Sequence, residues 1–105
     1  MSQRTEKIER FKAVVSLSPD DELAQFTLGQ ALFEEGRFEE AKNHLGKACE
    51  LKGDWMVPAI LYSKCLLELG EKEKARPALE RALQLAREQH HDSPAEELEF
   101  LISEL

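Results

Sequence analysis

The stretch that decides the fold is LFEEGRFEEAKNHLGKA, residues 32–48. Its first apolar segment ends at Gly36, and a second segment begins two residues later. Glycine tolerates the left-handed backbone that commonly ends a helix. After it, Ala41, Leu45 and Ala48 recur at the spacing of one helix face. The stretch therefore predicts two helices joined by a short turn at Gly36.

The same pattern occurs again one period later in the chain. Aligning residues 22–54 with 56–88, an offset of 34 without a gap, gives eight identities in 33 positions. The identical pairs are Leu32/Leu66, Glu34/Glu68, Gly36/Gly70, Glu39/Glu73, Ala41/Ala75, Leu45/Leu79, Ala48/Ala82 and Leu51/Leu85. Six of the eight are apolar, small or turn residues, the types that determine how two helices pack. The chain therefore contains an internal helix-turn-helix repeat.

The period and the residue types resemble the tetratricopeptide repeat (TPR), whose pattern reads W-x2-L-G-x2-Y, then A-x3-F, then a final Pro. The matching segments are Leu28-Gly29-x2-Leu32 with Ala41-x3-Leu45, and Tyr62-Ser63-x2-Leu66 with Ala75-x3-Leu79. The departures are Gln25 and Ala59 in place of Trp, Leu32 and Leu66 in place of Tyr, and Gly53 and Arg87 in place of Pro. The chain thus resembles a small bacterial-type TPR protein, which implies an all-α fold wound as a right-handed superhelix.

Six helices are expected in this superhelix. Four belong to two full repeats and are predicted near 21–35, 38–52, 55–69 and 72–89. The segment 3–17 aligns with the second helix of a repeat and is predicted to be a half-repeat. We therefore expect one TPR domain over 1–105, with repeats at about 22–54 and 56–88.

The last helix is predicted to cap the array. Ser93 suits the N-cap position, Pro94 the first helical position, and Glu96 the acidic position of a capping box. An apolar stripe follows over 98–105. Since a repeat array must cover the apolar face of its final unit, the segment 94–105 is predicted to be a capping helix.

Composition and charge narrow the classes of function. The 105 residues are 42% hydrophobic and 33% charged, which suits one domain with a core. A formal charge of -7 and a pI near 5.0 disfavour binding to nucleic acid or to anionic lipid. The N-terminal sequence MSQRTEKIERF lacks the apolar run of a signal peptide, and no stretch reaches the length of a membrane span. We expect a cytoplasmic protein with neither a nucleic-acid nor a membrane partner.

Residues that often carry chemistry form no recognised motif in this sequence. Phosphate-binding loops, HExxH and GxSxG are missing. His90 and His91 are adjacent, so on a helix they point about 100° apart and are poorly placed to share one metal ion. Cys49 and Cys65 are interpreted as buried thiols, with a single disulfide as the alternative, and His44 as an exposed residue. We predict no enzymatic activity, no cofactor and no metal site.

The TPR resemblance also implies a binding surface. In TPR proteins the first helices of the repeats line a concave groove that binds extended or helical peptides. By alignment, the groove positions are Leu23, Phe26, Gln30, Phe33 and Glu34 in the first repeat, and Val57, Ile60, Lys64, Leu67 and Glu68 in the second. Six of the ten are apolar, which is typical of an interaction site. We predict a protein–protein interaction module or adaptor that binds an apolar or amphipathic segment of a protein or peptide, with Phe26, Phe33, Ile60 and Leu67 as anchors and Lys64 fixing register.

Two alternatives concern the same apolar stripe. A neighbouring helix of the chain covers it, or it drives homo-oligomerisation, so that the partner is a second copy. Trp55, between the repeats, is interpreted as an inter-repeat packing residue.

TPR proteins that bind chaperones hold a C-terminal carboxylate with Lys, Asn and Arg, whereas only Lys64 is cationic at the matching positions. Peptides with acidic ends are therefore not expected to bind.

Overall fold

The computed structural model describes residues 3–105, so the first two residues of the predicted domain 1–105 lie outside the described part. The described residues form six helices: α1 (Gln3–Leu17), α2 (Glu22–Glu34), α3 (Phe38–Leu51), α4 (Met56–Glu68), α5 (Lys72–Glu88) and α6 (Asp92–Ser103). The predicted all-α class is confirmed, with two helix-turn-helix pairs between a single N-terminal helix and a single C-terminal helix. The molecule measures 39 × 24 × 22 Å, as expected for a short stack of helices.

The helices pack in chain order. Each contacts the helix before it and the helix after it, and α2 also contacts α4. One core cluster includes Ile8, Leu28 and Leu45 and holds α1 to α3 together. The other includes Leu79 and Leu98 and holds α4 to α6 together. Because α2 and α4 are equivalent helices of successive repeats, they lie side by side and contribute to one surface of the stack.

Helices α2 and α3 cross at Gly29. A Cβ atom added there would lie 2.7 Å from Cγ of Leu45 and 2.8 Å from its Cδ2. The second repeat has Ser63 at the equivalent position, where its hydroxyl is fully buried and donates to the carbonyl of Ile60 at 2.7 Å. A small residue at this place allows the leucine of the opposite helix to be completely buried.

The predicted turns at Gly36 and Gly70 are confirmed. Both glycines have left-handed backbones, with φ of 75° and 74°. The next residue closes the preceding helix in each case: Arg37 N–H donates to the carbonyl of Leu32, and Glu71 N–H to that of Leu66, each at 2.9 Å. A Cβ at either glycine would meet nothing within 4 Å, so backbone conformation, and not space, favours glycine here.

A third turn of this kind joins α5 to α6. His90 has a left-handed φ of 60°, and His91 N–H donates to the carbonyl of Ala86 at 2.8 Å. This turn starts α6 at Asp92, and no side chain caps the helix. The predicted capping box of Ser93, Pro94 and Glu96 was therefore wrong, because backbone bonds to α5 close the turn and place all three residues inside the helix.

The two cysteines are free thiols, not a disulfide. Cys65 is fully buried and Cys49 is half-buried. Burial is the main cause that raises the pKa of each thiol to about 11. Both therefore stay protonated at neutral pH and behave as apolar packing residues.

Candidate peptide-binding groove

The ten positions that sequence predicts for the groove lie on α2 and α4. Leu23 and Val57 are the most open of the apolar ones, with 61% and 41% of their surface exposed. They occupy equivalent places in the first turns of the two helices, one repeat apart. The remaining apolar positions, Phe26, Phe33, Ile60 and Leu67, are half-buried, as is Lys64, and Gln30, Glu34 and Glu68 are exposed.

The Phe26 ring packs on Trp55, the residue just before α4. Their ring centroids are 4.8 Å apart and the planes are tilted by 47°. The ammonium of Lys52 lies 5.6 Å from the centre of the Trp55 ring, a cation–π contact. Trp55 is half-buried, and its contact with Phe26 agrees with the inter-repeat packing predicted for it.

The second aromatic residue of α2, Phe33, packs edge-to-face on Phe38 at the start of α3. Their centroids are 5.4 Å apart, with an interplanar angle of 76°. Phe33 is thus held by a residue of its own repeat. Both phenylalanines of the candidate groove have one side fixed by an aromatic neighbour, so a ligand would meet rings that are already ordered.

Helix α6 closes part of the second repeat. Ile60 and Leu67 pack against the core cluster that includes Leu98 of α6. The ammonium of Lys64 forms an ion pair with Glu97, also on α6. The cation predicted to fix the register of a ligand is therefore already neutralised. Helices of the same chain thus cover the apolar groove positions only in part, because Leu23 and Val57 stay exposed.

A polar pair formed by the buried Gln25 and the half-buried His44 supports the first repeat, and sequence analysis missed it. Gln25, which stands where the repeat pattern has Trp, donates its amide to the carbonyl of Pro19 at 2.8 Å. His44 Nδ1 donates to the amide oxygen of Gln25 at 2.9 Å. Burial lowers the pKa of His44, and the nearby Glu40 carboxylate opposes this shift. The prediction that His44 is exposed was therefore wrong.

The cations around the α2–α3 turn pair with carboxylates that are not among the ten groove positions. Arg37 donates three hydrogen bonds to the Glu40 carboxylate, at 2.8, 2.9 and 3.1 Å, and this bonding is the main cause that lowers the pKa of Glu40. Lys42 bridges Glu39 at 3.0 Å and Glu71 at 3.2 Å. Glu39 and Glu40 belong to the first turn of α3, as predicted, where negative charge suits the helix dipole.

A separate cleft of about 400 Å³ lies between α3 and α5. Cys49 and Tyr62 line it, and Arg81 at its edge donates to the carbonyl of Gly53 at 3.2 Å. Burial raises the pKa of Cys49 to about 11, so this thiol stays protonated at neutral pH. Among residues 3–105, no group of His, Cys, Asp and Glu is placed to hold a metal ion, and no helix has the length and apolar character to cross a membrane.

Two successive helix-turn-helix units with left-handed turns at Gly36 and Gly70 and a close crossing at Gly29 define a TPR protein. The family model described as anaphase-promoting complex, cyclosome, subunit 3, which is of the TPR type, matches residues 2–82, and the chain belongs to that family. Among curated proteins, no sequence matches the chain significantly.

Several solved structures are similar to more than nine-tenths of the chain. The structure of PcrH in complex with the chaperone binding region of PopD has a TM-score of 0.86 at 20% identity, covering 96% of this chain and 77% of that one. The TPR2B domain of yeast Sti1, in a complex with pHsp70, has a TM-score of 0.79 at 21% identity, with coverage of 91% and 77%. Protein BPP2914 from Bordetella parapertussis has a TM-score of 0.76 at 28% identity, with coverage of 92% and 84%. These likenesses confirm the TPR fold.

Proposed function

We propose that this chain is a non-enzymatic protein-interaction module that binds an apolar or amphipathic segment across α2 and α4. The observation that carries the proposal is the exposure of Leu23 and Val57 at equivalent places of adjacent helices. Large apolar side chains that repeat along one surface are typical of interaction sites. Two similar structures support the same role, since PcrH and the TPR2B domain of Sti1 were each solved in complex with a partner polypeptide.

The binding energy would come from apolar burial at these two side chains. Covering Leu23 and Val57 would contribute about 1 to 2 kcal/mol each, since both still expose a large part of their surface. The aromatic pair of Phe26 and Trp55 is already packed and would lose little freedom on binding. A ligand would therefore meet a preordered surface whose open part lies at the N-terminal ends of α2 and α4.

The test is peptide selection followed by a matched substitution. Peptides would be selected from a displayed random library, and their binding measured by calorimetry and by Trp55 emission, since Trp55 is the single tryptophan. The double variant L23S/V57S is expected to lose binding at least tenfold, in line with the burial that it removes. L17S is the control, because Leu17 is 86% exposed on α1 and is not among the groove positions. Selected peptides that bind L23S/V57S as tightly as the parent would refute the proposal.

The homo-oligomer alternative uses the same exposed side chains. Light scattering of the free protein over a range of concentrations separates the two hypotheses. A monomer at high concentration supports binding of a different partner. An oligomer that dissociates in L23S/V57S but not in L17S would show that a second copy covers the surface, and would replace the proposal.

A further inference from the structure

We infer that the segment bound in this groove is cationic and amphipathic, with apolar side chains over Leu23 and Val57 and Lys or Arg side chains near Glu34 and Glu68. This inference rests on the proposed function and adds the charge and the orientation of the partner. It is carried by the unequal chemistry of the two ends of α2 and α4.

Helices α2 and α4 run in the same direction, because α3 returns along α2 after a three-residue turn and α4 returns along α3 after a four-residue connection. Leu23 lies in the first turn of α2 and Glu34 is its last residue; Val57 and Glu68 have the same places in α4. Eleven residues of helix separate the members of each pair, or about 16 Å along the axis. The surface therefore has an apolar edge at the helix starts and a carboxylate edge at the helix ends.

The carboxylate edge is uncompensated. Glu34 and Glu68 are exposed, and among the side chains that the structure describes, which exclude that of Arg4, no ion pair joins either of them to a cation. Of the nearby cations, Arg37 is held by Glu40, and Lys74 contacts Glu71. These two carboxylates are thus available to a ligand without breaking an existing ion pair.

The helix ends add to this negative charge. Neither α2 nor α4 has a basic residue in its last turn, and such a residue would normally offset the negative end of the helix dipole. The single cation among the ten groove positions, Lys64, is neutralised by Glu97. An incoming Lys or Arg would therefore meet two carboxylates and two unneutralised helix C-termini, whereas an acidic segment would be repelled.

The test uses three short Leu-based amphipathic peptides that differ only in their polar residues, which are Lys, Gln or Glu. Binding is measured by calorimetry and Trp55 emission at about 50 mM and about 300 mM salt. The Lys peptide is expected to bind the parent protein about three- to tenfold more tightly than the Gln peptide at low salt, since two exposed ion pairs form. The advantage is expected to shrink at high salt, and the Glu peptide is expected to bind most weakly.

Two double variants locate the effect. E34Q/E68Q is expected to remove the preference for Lys over Gln. E73Q/E80Q makes the same change in net charge on the exposed side of α5 and is expected to keep the preference. Equal binding of the Lys and Gln peptides, with both lost in L23S/V57S, would overturn this inference and leave the proposed function standing. Failure of all three peptides to bind, or self-association that E34Q/E68Q abolishes, would overturn both.

Discussion

His90 lies between α5 and α6 in the same left-handed conformation that Gly70 adopts between α4 and α5, with φ of 60° and 74°. The residue after each closes the turn in the same way, since His91 N–H donates to Ala86 and Glu71 N–H donates to Leu66. One turn geometry is therefore used both within a repeat and before the final helix. Of the three turns, at Gly36, Gly70 and His90, only the last places a residue with a Cβ atom in the left-handed conformation, which is unfavourable for such a residue.

Replacing His90 by glycine should stabilise the protein. The left-handed conformation costs a residue with a Cβ roughly 1 kcal/mol, and glycine avoids this cost. H90G is therefore expected to raise the free energy of unfolding by up to about 1 kcal/mol in urea titrations. H91G is the control, because His91 has an ordinary φ of -99° and glycine there adds only flexibility to the unfolded chain. Equal effects of the two substitutions would contradict the prediction.

A methyl group at Gly29 should destabilise the α2–α3 pair. It would lie 2.7 Å from Leu45 Cγ and 3.1 Å from the backbone nitrogen of the same residue. The helices must move apart to admit it, so G29A is expected to lower the free energy of unfolding by about 1 to 3 kcal/mol. G53A is the control, since the nearest atom to its added Cβ is the carbonyl oxygen of Cys49 at 3.9 Å. Thermal unfolding of the two variants side by side would measure the difference.

The half-buried imidazole of His44 should make stability depend on pH in a narrow window. Burial lowers its pKa from 6.5 in the folded state, so the unfolded chain binds the proton more readily. The free energy of unfolding is therefore expected to be unaffected by this group above about pH 7.5 and to fall as the pH drops through 6.5 toward the folded pKa. Glu40 has a lowered pKa and loses its stabilising contribution only below about pH 4.5.

Substituting the histidine isolates its contribution. H44Q is expected to flatten the stability profile between about pH 7.5 and about pH 5.5. Urea unfolding at these two pH values is the measurement. A parent protein equally stable at both would show that His44 is not desolvated in the folded state.

The two thiols should react slowly and in a fixed order. Burial raises the pKa of both to about 11, so the thiolate fraction at neutral pH is very small. Cys49 is only half-buried and is expected to be alkylated first, and Cys65 only after unfolding. Mass spectrometry of iodoacetamide-treated protein, with and without urea, would follow each site. Modification of Cys65 in the folded protein before Cys49 would contradict the structure.

The repeat made most of the fold predictable. Glycines at 36 and 70 and the Ala and Leu spacing around them placed four helices within a residue or two of their observed limits. Helix α6 was placed two residues late, because histidine at position 90 is not a usual left-handed residue, whereas Ser93 and Pro94 are common at helix starts. The helix-start preferences of Ser93 and Pro94 therefore indicated the wrong first residue for α6, because the backbone bond from His91 to Ala86 of α5 starts the helix at Asp92.

The candidate site was predicted less completely than the fold. Alignment assigned positions to α2 and α4, but pairing depends on side chains that approach from other helices. Lys64 meets Glu97 of α6, and that helix does not follow the repeat register. His44 meets Gln25 only because glutamine replaces the tryptophan of the repeat pattern. Neither contact has a periodic signal in the sequence, so both required the structure.

The packing of each helix on its neighbours in the chain has a consequence for folding. Contacts that join nearby parts of a chain close short loops, which costs little entropy and favours rapid folding. Unfolding should then begin at the ends, where α1 packs mainly on α2 and α6 packs mainly on α5, and proceed inward. Such a chain can gain or lose a terminal unit while the remaining pairs keep their own cores, so its length is open to evolutionary change without redesign of the interior.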